Sequence, residues 1–274
     1  MASSSEELKR EIQTQEAAMR TPGTQLFSRT RYEVDRVLGE GGMGITCLAY
    51  ELSAANMRRP IVLKFVKDSL NTDRLDRFLN EVKLSIQFNH PNLVPIYRLE
   101  SEVLDMSKSK SRSAFHRHYE HTVYFAVMQY IDGWNLRQIV DRLRSLNILL
   151  NYDITMFLIG RVARGLNYAH EYRDENGDRL GLVHRDVSPE NILIDRFGRI
   201  KVGDFGIAQP GKSMRGEMGF EAGKILYCSP EQLDGKRLDA RSDIYNVGLL
   251  LYFLFTDNDR FGPEFAMSRT RDRV

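Results

Sequence analysis

The chain has 274 residues, of which 42% are hydrophobic and 28% charged, and a net charge of +2. This is globular composition, with apolar residues for one large core or two smaller ones, and the small net charge gives no electrostatic case for nucleic acid or an anionic membrane. Cys47 and Cys228 are the only cysteines, which excludes a disulfide framework and points to a reducing, cytoplasmic setting.

Residues 1–30 are polar, with Ser3-Ser4-Ser5 and Pro22-Gly23, no apolar stripe and no signal-peptide pattern. They read as a flexible leader. Strands are expected over Tyr32 to Leu38, Thr46 to Leu52 and Ile61 to Val66. Leu75, Phe78, Leu79, Val82 and Ile86 then recur at helical spacing, with Thr72 placed to cap the start. Leu93 to Leu99 and Thr122 to Gln129 read as two more strands. The Ser-, Lys-, Arg- and His-rich tract between them, 101–121, reads as an inserted surface loop. Its His116, His118 and His121 lack a cysteine or a helical i, i+4 face and read as scattered surface histidines.

From Asn135 the pattern turns helical. Ile154, Phe157, Leu158, Val162, Leu166 and Ala169 form an amphipathic stripe. Ile192 to Ile194 and Ile200 to Val202 predict a short hairpin, and Asp243 to Phe255 an apolar helix. The longest apolar run, Val247 to Phe255, is too short for a bilayer, which needs about 20 residues. A β-rich half followed by a helical half implies an α+β chain of two lobes with a cleft between them.

Three motifs carry chemistry. Gly39-Glu40-Gly41-Gly42-Met43-Gly44 can lay a backbone hairpin over phosphates. A dinucleotide fingerprint would be followed by a helix, whereas strand residues from Thr46 follow here. Lys64 stands in the apolar strand Ile61-Val62-Leu63-Lys64 and must find a cleft or an anion. Finally, His184-Arg185-Asp186-Val187-Ser188-Pro189-Glu190-Asn191 places a carboxylate five residues before an amide, and Asp204-Phe205-Gly206 adds a second carboxylate 18 residues after the first. One carboxylate can accept a hydroxyl proton, while the amide and the other can hold magnesium, a set that suits phosphoryl transfer.

These motifs, with Ser229-Pro230-Glu231, resemble the protein kinase family, most closely bacterial kinases of the eukaryotic-like (Hanks-type) Ser/Thr class. The resemblance implies a kinase domain over 31–274: a β-rich N-lobe at 31–130 with the insertion 101–121, and a helical C-lobe at 131–274 that lacks the family's last helices. It implies ATP and Mg²⁺ as cofactors and Ser/Thr hydroxyls of proteins as acceptors. Asp186 would be the catalytic base, Asn191 and Asp204 the metal ligands, and Lys64 the phosphate-binding lysine paired with Glu81. Gly39, Glu40, Gly41, Gly42 and Gly44 would cover the phosphates. Leu38, Thr46, Val62 and Leu193 would enclose adenine, with Met128 at the back and Gln129, Tyr130 and Ile131 as the hinge. Asp243 resembles the family's buried brace for the His-Arg-Asp backbone, over a structural His184.

Several positions depart from the family. Ser188 stands where a lysine is usual, and Lys224 where a threonine is usual. Either the two side chains have exchanged roles, with Lys224 near the phosphate and the Ser188 hydroxyl on Asp186, or both roles are lost. Ser85 replaces a larger apolar residue. Ser213 is a candidate activation-loop phosphosite for Arg185, implying self-association for autophosphorylation, or it is an unmodified serine. Glu231 is expected to lack its distant arginine. The rivals to an active protein kinase are a catalytically silent nucleotide-binding scaffold and a small-molecule phosphotransferase on the same fold.

Overall fold

A computed structural model describes residues 2–27, 30–41, 44–53, 57–66, 70–105, 120–205 and 224–256. The chain divides into two compact units. The first comprises Met1–Gln87 and Ile96–Tyr130, the second Phe88–Pro95 and Ile131–Val274.

The first unit is built on helix α1 (Ala2–Met19), strands β1 (Gln25–Phe27), β2 (Arg31–Glu40), β3 (Gly44–Leu52) and β4 (Arg58–Val66), helix α2 (Thr72–Ser85), and strands β5 (Ile96–Asp105) and β6 (Glu120–Gln129). The strands form one antiparallel sheet in the order β1-β2-β3-β4-β6-β5. Alternation decides which face is buried. Ile61, Leu63 and Phe65 of β4 are inaccessible, as are Val123, Phe125 and Val127 of β6. Phe125 lies 5.3 Å from Phe65 and meets Tyr32 edge-on at 5.8 Å. The opposite face of β4 is left for Val62 and Lys64.

The flexible leader expected over 1–30 is corrected: α1 and β1 belong to this core. Ile12, Met19 and Leu26 are buried with the sheet residues. Ile12, Glu16 and Met19 recur on one side of α1, but the middle position is a glutamate, so no apolar stripe is visible in the sequence. Buried Glu16 is accommodated by His121 Nε2 at 3.3 Å and Arg20 at 3.7 Å.

The same contact corrects two other expectations. His121 is a buried residue, not a surface histidine, and the ends of the expected insertion 101–121 are strand, with Asp105 paired to Glu120 and Leu104 to His121. His116 and His118 lie outside the described residues. Helix α2 is capped by Asn71, whose side chain accepts from the Arg74 amide at 3.1 Å, rather than by Thr72.

The second unit carries strands β7 (Gly133–Asn135), β8 (Ile192–Asp195) and β9 (Ile200–Val202), and helices α3 (Leu136–Ser145), α4 (Tyr152–His170), α5 (Pro230–Leu233) and α6 (Ala240–Thr256). The three strands form a small antiparallel sheet in sequence order. Asn135 and Gln138 close a reciprocal cap at the start of α3. Residues 88–95, expected in the N-lobe, belong here. The Asn92 side chain donates to the Ile200 carbonyl at 2.8 Å, and the Val94 amide to that of Val202 at 2.9 Å. Gly165 of α4 permits this approach, because a Cβ there would meet the Asn92 carbonyl oxygen at 2.9 Å.

The stripe expected on α4 holds at four of its six positions. Leu158, Val162, Leu166 and Ala169 are buried, whereas Ile154 and Phe157 are exposed. Helix α6 buries Leu250, Phe253 and Leu254. The C-lobe end expected to lack helices falls on 257–274, outside the described residues.

Candidate active site

Two constellations, one in each unit, hold the residues singled out by the sequence. In the first unit, the Gly41 amide donates to the Gly44 carbonyl at 2.9 Å and closes the glycine turn between β2 and β3. Gly44 is demanded by space, since a Cβ there would lie 2.3 Å from the Phe65 carbonyl oxygen. Gly39 pairs with Thr46, whose hydroxyl donates to the Gly39 carbonyl at 3.1 Å. Leu38 and Glu40 are exposed, and Gly42 lies outside the described residues.

Lys64 sits opposite Thr46 and Ala126 in the sheet, two residues from Val62. Its Nζ donates to Glu81 Oε1 of α2 at 2.8 Å, with both side chains less than a tenth exposed. Val62 is half-buried and pairs with buried Met128. Gln129 and Tyr130 follow, also half-buried.

In the second unit the loop 184–191 is pinned from beneath. Asp243 of α6 is inaccessible. Its Oδ2 accepts from the His184 amide at 2.7 Å and its Oδ1 from the Arg185 amide at 2.9 Å, while His170 Nε2 lies 2.7 Å from Oδ2. This is the brace that the resemblance implied. Arg185 takes a left-handed backbone, φ 70°, which turns the chain into Asp186. The Gln232 side chain ties down the Arg185 carbonyl at 2.7 Å. Arg185 itself is buried, which lowers its pKa, with Asp243 opposing.

His184 joins the segments 184–191 and 203–205. The Asp186 amide donates to its Nδ1 at 3.2 Å, so Nε2 carries the hydrogen and donates to the Gly203 carbonyl at 2.9 Å. Burial pushes its pKa below the ordinary histidine value, against the pull of Asp243 and Asp186, and the ring is neutral near pH 7. Phe205 lies 4.4 Å from the ring. The Asn191 side chain donates through Nδ2 to the Asp186 carbonyl at 2.7 Å, and the Gly203 amide donates to the Asn191 carbonyl at 2.9 Å. Asp186, Asn191 and Asp204 are thereby drawn onto one small frame. Asp204 has φ 53°, a second left-handed residue of this site after Arg185. Because Asn191 Nδ2 is committed, its Oδ1 is the atom that could take a metal ion. Two oxygen donors of this kind match what magnesium takes from protein, so the residues fit the ion.

Leu193 of β8 and Ile131 are half-buried residues of this unit. Ser188 is buried, but its hydroxyl makes no hydrogen bond among the described residues, so the expected contact to Asp186 is not made. Lys224 opens a single 3₁₀ turn, Lys224–Tyr227, with its side chain outside the described residues, as are Gly206 and Ser213. Among the described residues, Glu231 has a local partner in Ser242. The Ser242 hydroxyl donates to its carboxylate, and this bond, against burial, lowers its pKa. Arg137, unremarked in the sequence, ties three elements together, donating to Glu190 at 3.0 Å and to the Tyr227 hydroxyl at 2.9 Å while lying over Phe253 at 4.5 Å. Its partners are far apart in the chain, and nothing local marks it.

Fold and site together define a protein kinase domain. The chain belongs to the protein kinase family: the family model described as "Protein kinase domain" matches residues 32–272. It is similar to the serine/threonine-protein kinase pkn3 of Myxococcus xanthus, 34% identical over 254 residues, which covers 87% of this chain and 40% of that protein. The serine/threonine-protein kinase PrkC of Bacillus subtilis (strain 168) is 30% identical over 241 residues, covering 87% and 32%. The tyrosine-protein kinase MasK of Myxococcus xanthus (strain DK1622) is 31% identical over 236 residues, covering 85% and 34%. The chain thus spans between 32% and 40% of the length of these relatives. Among the described residues, no helix is long and apolar enough to cross a membrane.

Proposed function

We propose that this chain is a Ser/Thr protein kinase domain that moves the γ-phosphate of MgATP to hydroxyls of protein substrates. The observation that carries this reading is the frame in which Asp243 and His184 fix the backbone of Asp186 while the Asn191 amide holds its carbonyl. A carboxylate whose position is over-determined in this way is suited to act as general base toward an incoming hydroxyl. Asn191 Oδ1 and Asp204 would hold Mg²⁺, which neutralises phosphate charge when bound. Lys64, steered by Glu81, orients the α- and β-phosphates, and the backbone of 39–44 covers them. Adenine is enclosed by Leu38, Val62, Met128 and Leu193, with the backbone of 129–131 as hinge.

Lys224 supplies an ammonium beside the transferring phosphate. Ser213 is the candidate autophosphorylation site, reached through transient self-association. Cys47 and Cys228, both buried and outside any disulfide, suit a cytoplasmic location.

The test is transfer of labelled γ-phosphate from MgATP to this chain and to a basic protein. Transfer is expected on Ser and Thr, with a fall of about 10²-fold or more in Asp186→Asn. Undiminished transfer in Asp186→Asn, or label found on tyrosine alone, overturns the reading. Bound nucleotide without transfer favours the silent scaffold. Unchanged turnover in Lys224→Ala removes the role given to that lysine.

A further inference from the structure

The second unit carries a surface pocket of about 720 Å³ that none of these roles uses. That volume lies within the range of small-molecule sites. Its walls include His90 from the segment 88–95, and Arg164, Asn167, Tyr168, Tyr172 and Arg173 from α4 and the residues after it. The floor is ring carbon, with His90 stacked on Tyr168 at 5.1 Å and the Tyr168 and Tyr172 rings 6.0 Å apart.

The wall carries two arginines, Arg164 and Arg173, while a carboxylate beyond it, Glu175, is felt at Tyr172. Arg164 is exposed and makes no ion pair among the described residues. Lys201 lies close enough to be felt at His90, whose pKa is lowered first by burial and then by Lys201 and Arg164. The one carboxylate on the wall, Glu171, is already engaged 2.5 Å from Arg179. Positive charge above aromatic rings favours a flat, anionic guest, which can stack below and pair above.

The floor is also connected. Buried Phe88 meets Tyr168 edge-on at 6.0 Å and Tyr172 at 5.3 Å, and on its other side it meets Phe205 at 5.4 Å. Phe205 follows Asp204 directly and packs on His184. Anything that shifts the two tyrosine rings therefore presses on one phenylalanine, and that phenylalanine presses on the side chain beside the metal-ligand position.

We infer that this pocket binds a planar aromatic anion, and that its occupancy is transmitted through Phe88 to Phe205. The regulatory meaning of the second part rests on the role proposed for Asp204; the binding itself does not.

The experiment titrates 2-naphthalenesulfonate into the full chain labelled with 4-fluorophenylalanine, without nucleotide, and follows the ¹⁹F resonances of Phe88 and Phe205. Both are expected to shift with one saturable Kd. Arg164→Glu, a change at an exposed position, weakens binding by at least about tenfold, the loss expected for one charge-assisted contact. Ala163→Trp, which fills the wall, abolishes it. Phe88→Leu keeps binding and loses the Phe205 shift. Absence of saturable shifts, or a Kd unchanged in Arg164→Glu, overturns the site. A Phe88 shift with a silent Phe205 overturns the transmission. Because no phosphate is transferred in this measurement, an inactive kinase leaves its outcome intact.

Discussion

Glu81 in the first unit and Asp243 in the second are both carboxylates withdrawn from water, and they are held in different ways. Glu81 faces a mobile cation on a long side chain, Lys64 Nζ. Asp243 faces the backbone, through the amides of His184 and Arg185, with His170 alongside. An ion pair between side chains can be exchanged for another partner, such as a phosphate, at small structural cost. A carboxylate bonded to main-chain amides fixes the path of the chain and cannot be released without moving it. The first arrangement suits a residue that must meet a substrate, the second a residue that must never move.

The sharpest way to break this contrast is to remove the charges in turn. Lys64→Met leaves Glu81 buried against an apolar neighbour and should destabilise the fold by about 3–5 kcal/mol in urea unfolding. The double variant Lys64→Met with Glu81→Leu should recover that loss, because two apolar side chains of similar size replace a buried pair at little or no cost. Failure to recover would mean that Glu81 is a structural brace after all. Asp243→Asn turns one acceptor into a donor facing a backbone amide, and should cost about 2–3 kcal/mol with no apolar partner able to restore it.

Acid sharpens the same contrast. The depressed pKa of His184 means that below the ordinary histidine value, near 6.5, the unfolded chain binds a proton that the folded chain refuses. Its contribution to stability is therefore present above that pH and lost as the pH falls, with a slope approaching about 1.4 kcal/mol per pH unit for one proton. His184→Gln should flatten the unfolding free energy between pH 6.5 and pH 5, and an unchanged slope would assign the effect elsewhere. The smallest change is expected at Ser85 of α2, which is buried and whose hydroxyl has no partner among the described residues. Ser85→Ala should raise stability by about 1 kcal/mol, readable as a higher melting temperature.

Helices α1 and α4 show where the sequence was legible and where it was not. The loop 184–191, the hairpin β8–β9 and the lysine strand were readable because motif spacing and alternation are local properties, set within a few residues. The stripe on α4 was readable in its lower half, at Leu158, Val162, Leu166 and Ala169, but nothing local indicates that Ile154 and Phe157 stay exposed. Helix α1 was missed because Glu16 interrupts its buried side, and the residue that makes Glu16 tolerable, His121, lies 105 positions away in a tract that reads as loop. The pocket walled by His90 and α4 was invisible for the same reason, being assembled from segments more than 70 residues apart.

By itself the sequence pointed to the family, to most strands and helices after residue 30, and to Asp186, Asn191, Asp204, Lys64 and Glu81 as the candidate chemical set, since each depends on residue type and short spacing. Only the tertiary structure decided that Ile12, Met19 and Leu26 join the first core, that 88–95 belong with the second unit, that Glu231 is served by Ser242, and that Phe88 connects a surface pocket to Phe205. Burial and pairing are settled by whichever distant segment arrives to cover a side chain, and periodicity along one stretch of chain carries no record of that arrival.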